Sequence, residues 1–165
     1  VWDYRAYGKT GGKLRYDALM SDALTVYKYA DSAYQLPIVP FGVSLGTAFA
    51  AHAASECGTP KVLLQSPFYS LARLGPHYLP GVPYCLILKY PFDTHASLRN
   101  FKGKIGIIHG KKDKVIPVRQ SFLLKDSLER TGFHLKVMPQ CGHNNLALYP
   151  GYTTWLDQWL GAPLN

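Results

Sequence analysis

The feature that most constrains this chain is an alternation of short, nearly continuous apolar runs with longer segments whose apolar residues recur at helical spacing. The runs at residues 36–41, 62–64 and 105–108 are apolar on both parities, as in strands buried on both faces, and residues 135–138 read as a last strand. Between them, residues 14–30 place Leu14, Leu19, Met20, Ala23, Leu24, Val26 and Tyr27 at near-helical intervals. Residues 47–55 form a helix of small side chains able to lie close to a sheet. Residues 117–130 form a helix opening on a proline, which the first turn tolerates, and residues 152–160 a closing helix. Residues 1–4 read as the tail of a strand and residues 5–12 as a glycine-rich loop. The pattern implies an α/β chain: a three-layer α/β/α sandwich around a mostly parallel sheet.

Residues 67–102 break the rhythm with five prolines and the tyrosines Tyr69, Tyr78, Tyr84 and Tyr90. Too aromatic for a solvated linker, this stretch reads as a cap-like insertion within a single domain spanning residues 1–165. The balance of 47% hydrophobic and 17% charged residues excludes a disordered chain. No apolar run approaches the roughly 20 residues of a helical membrane span.

The formal charge is +8, with a dense group at Arg99, Lys102, Lys104, Lys111, Lys112 and Lys114. It matches no nucleic-acid motif, so a solvated basic face is expected and no nucleic-acid partner. Three cysteines without a C-x-x-C pair argue against a disulfide framework or a zinc site, and buried thiols are expected. The chain opens on Val1 without a signal-peptide pattern. We therefore expect it to continue upstream, and expect membrane association only through such upstream residues.

Chemistry enters at Gly42-Val43-Ser44-Leu45-Gly46, a G-x-S-x-G pentapeptide between an apolar strand and a small-residue helix. A serine on so tight a strand-to-helix turn has strained backbone angles and needs small residues two before and two after it. The turn lifts the Ser44 hydroxyl clear of the sheet and aims the Leu45 N–H at the place where an oxyanion forms. A serine is inert without a base. Among six histidines, His143 lies in a loop between the last strand and the last helix, at the carboxyl edge of the sheet where sites in such folds form. Of the others, His52, inside the helix after the elbow, and His109, at a strand end beside Gly110, read as structural, while His77 and His95 lie in the insertion and His134 at a strand start. Asp113, just past the strand ending near residue 108, falls on the same edge and suits the anion that holds the imidazole's tautomer. The order Ser44, Asp113, His143 is that of α/β-hydrolases.

The segments DYRAYGKTGG, PFGVSLGTAFAAHAAS, LLQSPFYSL, KYPFDT, IIHGKKDKVIP and CGHNN resemble the bud-emergence-suppressor-like branch of the α/β-hydrolase superfamily. Serine aminopeptidase-like and monoacylglycerol-lipase-like hydrolases are its near relatives. The resemblance runs along nearly the whole chain and implies a nucleophile at Ser44, an orienting acid at Asp113 and a base at His143. The chain departs from the family at Ala6, where glycine is usual, and at Pro40, late in a strand the family places centrally. The family's first strands and its HG-type oxyanion loop are absent. The resemblance therefore implies that the strand leading to Ser44 lacks one neighbour, and that these residues alone make a weak enzyme with an unprotected sheet edge.

The expected reaction is hydrolysis of an ester, or alternatively an amide or thioester, on a small-molecule acyl substrate, with no metal or organic cofactor. Phe68, Tyr69, Tyr78, Leu79, Tyr84 and Tyr90 either line an apolar acyl pocket or pack the insertion onto the sheet. The competing expectation is a catalytically silent remnant of the fold that survives as a binding module, or as a fragment with no independent role.

Overall fold

The computed structural model describes residues 2–128 and 132–161. Residues 2–4 are not part of a strand. No described strand lies beside them to pair with. Instead Tyr4 packs its ring on Phe49, with centroids 4.9 Å apart, and Trp2 stands edge-on to Tyr4 at 6.1 Å. Val1 lies outside the described residues.

After the loop come α1 (Tyr16–Tyr34), β1 (Phe41–Val43), α2 (Gly46–Cys57) and β2 (Lys61–Gln65). Residues 67–102 contain three short helices, α3 (Leu71–Tyr78), α4 (Tyr84–Ile87) and α5 (Thr94–Leu98), and one antiparallel bridge between Ser70 and Asp93. The chain continues through β3 (Lys104–Gly110), α6 (Arg119–Leu128) and β4 (Phe133–Met138). A 3₁₀ turn (Leu146–Leu148) and α7 (Pro150–Gly161) follow.

The four strands lie in the order β1-β2-β3-β4, all parallel, with Phe41 opposite Leu63, Leu64 opposite Ile107 and Ile107 opposite Leu135. Side-chain alternation divides the core. Val62, Leu64, Ile105 and Ile107 pack against Ala50, Ala51 and Ala54 of α2, Leu98 of α5 and Leu124 of α6. On the other face Ile108 and Met138 meet Tyr152 of α7, and Gly106 leaves room for the Trp159 ring, which a Cβ would strike at 2.5 Å. α1 packs on α2 through Leu19, Met20 and Ala23, beside Ala48 and Phe49. The architecture is the expected α/β/α sandwich.

β1 is shorter than the run at residues 36–41 because Pro37 and Pro40 cannot donate to a ladder. The Pro40 carbonyl still accepts from the Leu63 N–H at 2.9 Å. The Lys61 carbonyl, which an N–H at position 40 would meet in this register, accepts the Thr59 hydroxyl at 2.9 Å. Among the described residues β1 pairs with β2 alone. Phe41 and Val43 are 47% and 45% exposed, because α7 covers the β2–β4 part of that face and no described helix covers β1. Cys141 is buried as expected, but Cys85 is exposed on α4 and Cys57 half-buried at the end of α2. α4 turns only its Tyr84 ring inward, against Gly75.

Candidate active site

Ser44 sits between the end of β1 and the start of α2 with φ at 53°, a left-handed conformation that strains a residue bearing a Cβ. Three hydrogen bonds hold it there. Its N–H donates to the Gln65 carbonyl at 2.9 Å, and its carbonyl accepts from the Thr47 N–H at 3.0 Å and the Thr47 hydroxyl at 2.6 Å. Gly42 is required by space: a Cβ there would stand 2.3 Å from the Gly46 oxygen and 2.7 Å from the Thr47 Cα. Gly46 is less constrained than the motif suggests, since its Cβ would meet only the Tyr4 hydroxyl, at 3.4 Å. Leu45 follows the serine as the cap of α2, and its N–H donates to no group among the described residues.

The loops after β3 and β4 bring two more side chains to the hydroxyl. His143 places Nε2 3.1 Å from the Ser44 Oγ and Nδ1 2.7 Å from the Asp113 Oδ2. With the proton on Nδ1, the imidazole donates to the carboxylate and its Nε2 accepts from the serine hydroxyl. The Asp113 side chain is fully buried and that of His143 is 11% exposed. The remaining carboxylate oxygen, Oδ1, accepts from the Val115 and Ile116 N–H groups, each at 2.8 Å.

Burial pushes the Asp113 carboxyl upward. Hydrogen bonds from His109, His143 and the Ile116 N–H, with the charge of His143, outweigh that and hold it well below the usual carboxylate range. Asp113 is therefore a fixed anion behind the imidazole.

The two loops are tied to each other. The Lys111 N–H donates to the Met138 carbonyl at 2.9 Å and the Lys112 N–H to the Cys141 carbonyl at 2.8 Å. Asn145 accepts the Gly142 N–H at 2.8 Å, shaping the turn that carries His143. A Cβ at Gly110 would stand 2.5 Å from the carbonyl oxygens of Cys141 and Gly142, so glycine there lets the loops approach.

His109, read from the sequence as structural, has a more specific place. It is completely buried, with Nδ1 2.6 Å from the Ser121 Oγ and Nε2 2.8 Å from the Ile116 carbonyl. The Nε2–H also points at the Asp113 Oδ2, 3.3 Å away. His109 thus braces both the acid and the turn that feeds it backbone donors. The signal was available in parity: residues 105, 107 and 109 share the α6 face, so the ring had to enter the core beside the acid's loop.

Phe68 and Tyr69 both pack against neighbouring side chains. Phe68 is 1% exposed and packs with Phe49, Phe92 and Leu74. Tyr69 stacks on His95 with centroids 4.5 Å apart, beneath the Arg73 guanidinium. A groove of 470 Å³ runs along the unpaired side of β1, lined by Trp2, Tyr27, Ile38, Phe41 and Gly42 among others; Ser44 does not line it. Among the described residues no group of three or more His, Cys, Asp or Glu side chains lies close enough to hold a metal ion. No described helix is long and apolar enough to cross a membrane.

No family model matches the chain. It is 28% identical over 171 residues to alpha/beta hydrolase domain-containing protein 17C of Xenopus tropicalis, covering 99% of this chain and 52% of that protein. The chain spans about half the length of curated relatives that it matches. In structure it is similar to an esterase of Pyrococcus furiosus, with a TM-score of 0.76 and 22% identity over 99% of this chain and 70% of that one. A monoacylglycerol lipase of Paleococcus ferrophilus aligns with a TM-score of 0.66 and 15% identity, over 95% and 82% of the two chains.

Proposed function

We propose that this chain, which belongs to the α/β-hydrolase superfamily, is a serine hydrolase that cleaves an ester through an acyl-enzyme. The observation that carries the reading is the relay from Ser44 through His143 to Asp113, at 3.1 and 2.7 Å, assembled from three separate strand ends. A serine idle on a glycine-rich turn has no need of a buried carboxylate partner for the histidine that faces it.

In this reading Ser44 attacks the acyl carbon while His143 takes the hydroxyl proton at Nε2, and Asp113 stabilises the imidazolium through Nδ1. The Leu45 N–H donates to the oxyanion. His143 returns the proton to the leaving alcohol, then activates the water that releases the acid. An ester is preferred to an amide or thioester because structural neighbours are described as an esterase and a monoacylglycerol lipase.

One observation favours a second reading, a silent binding module. Among the described residues the strand that leads to Ser44 pairs on one side only, and an uncovered edge so near the serine admits water and weakens an oxyanion site. Turnover of p-nitrophenyl esters separates the two. Hydrolysis lost in Ser44→Ala supports the enzyme. Hydrolysis that persists in Ser44→Ala, or none by the unaltered chain, contradicts it.

A further inference from the structure

The net charge is not spread along the chain. Residues 61–119 hold ten of its 18 basic residues and only two of its ten acidic ones, so this segment alone carries the whole excess of +8. Asp113 is buried against His143, and Asp93, half-buried, caps α5 through the Ala96 N–H at 2.8 Å. Within the same segment, residues 74–88 contain no Asp, Glu, Lys or Arg, and this stretch leaves four large apolar side chains outside. Leu86 is 82% exposed and Ile87 60%, with Leu79 and Tyr78 exposed beside them. Arg73 and Lys89 bound the stretch.

This tongue is fastened to the candidate active site. The Tyr78 hydroxyl donates to the carbonyl of Val115, whose own N–H donates to Asp113. Val115 is itself exposed, next to the exposed Lys114, and Lys111 and Lys112 stand on the same loop. An apolar centre with a cationic rim therefore adjoins the loop that holds the acid of the relay.

We propose that this face docks on an anionic lipid bilayer, with Leu79, Leu86 and Ile87 entering the headgroup boundary and Lys89, Lys111, Lys112 and Lys114 meeting the lipid phosphates and carboxylates. The chemistry selects that occupant. Exposed aliphatic side chains with tyrosines at their margin and lysines around them match the layering of a membrane interface. A second copy is disfavoured by charge, since pairing the face with itself sets lysine against lysine. Docking here brings the Ser44 edge to a surface rich in acyl esters; that benefit rests on the serine hydrolase reading, but the docking does not.

The test is flotation of the chain with vesicles of phosphatidylcholine alone and of phosphatidylcholine mixed with phosphatidylserine. Binding is expected with the second and to be reversed by high salt. Each lysine at an anionic surface strengthens binding about fivefold, so replacing Lys111, Lys112 and Lys114 together with Gln weakens it roughly a hundredfold. Leu86→Asp weakens it at least about tenfold through lost apolar burial. Lys28→Gln, on α1, leaves it unchanged. Each variant is checked for an unaltered thermal melt. Equal binding to the two vesicle types, no binding to either, or full binding by the triple variant overturns the proposal. So does a salt-sensitive dimer, lost in Leu86→Asp, in a chain that ignores vesicles. Vesicle binding is read regardless of hydrolytic activity, so its failure and the failure of the catalytic reading are distinguishable.

Discussion

Gly42→Ala and Gly46→Ala change the same turn by one methyl group each and have opposite expected outcomes. At Gly42 the new Cβ lies 2.3 Å from the Gly46 oxygen, 2.6 Å from its carbonyl carbon and 2.7 Å from the Thr47 Cα. All three are backbone atoms at the start of α2, so no side-chain rotation relieves the contact. Restoring ordinary contact distance requires a movement of about 1 Å, at a cost of about 1–3 kcal/mol. The movement falls on Ser44, two residues away, whose hydroxyl is already 3.1 Å from His143. A displacement of that size costs on the order of 10²-fold in turnover. At Gly46 the Cβ meets only the Tyr4 hydroxyl, at 3.4 Å, and turnover should stay within a few fold. Ester turnover with a thermal melt for each variant decides it. If Gly42→Ala retains turnover within about tenfold, or Gly46→Ala is equally damaging, the steric account of the elbow is wrong.

Two further outcomes follow from the buried relay. Asp113→Asn should lower turnover by about 10⁴-fold, because the amide no longer fixes the imidazole tautomer; a loss below tenfold would assign the role to another group. The same variant tests linkage. The folded-state value of Asp113 is depressed, so its contribution to stability is fully present above about pH 4 and is lost as pH falls through the folded value. Urea unfolding in that acid range should therefore show a shallower loss for the Asn variant than for the unaltered chain. His109→Leu orphans the Ser121 hydroxyl and the Ile116 carbonyl, and should cost about 2 kcal/mol in urea unfolding with a smaller loss of turnover than Asp113→Asn.

The framework was legible where one physical signal dominated. β2 and β3 extend the apolar runs at residues 62–64 and 105–108 by only a residue or two at each end, because strands buried on both faces leave no polar positions to blur them. Helix α2 was marked by its alanines, which pack against the sheet. Ser44, Asp113 and His143 were readable as residue types at three separate strand ends, and the structure brings those side chains within hydrogen-bond reach.

Other features depend on contacts that no local pattern records. Residues 2–4 look like a strand, yet a strand exists only where another pairs with it, and none is described there. Phe68 carries the composition of a pocket lining but the position of a core residue, in the cluster that holds Phe49 and Phe92. His109 reads from the sequence only as structural, because the partners that give it a specific place, Ser121 and Ile116, lie on the segments that follow it.

The central claim is that Ser44 is a nucleophile made reactive by His143. Its most direct test is covalent labelling with a fluorophosphonate, followed by mass spectrometry of the proteolysed chain. The account predicts one adduct, on the peptide carrying Ser44, absent from Ser44→Ala and strongly reduced in His143→Ala. An adduct on another residue, or labelling undiminished in either variant, would contradict it.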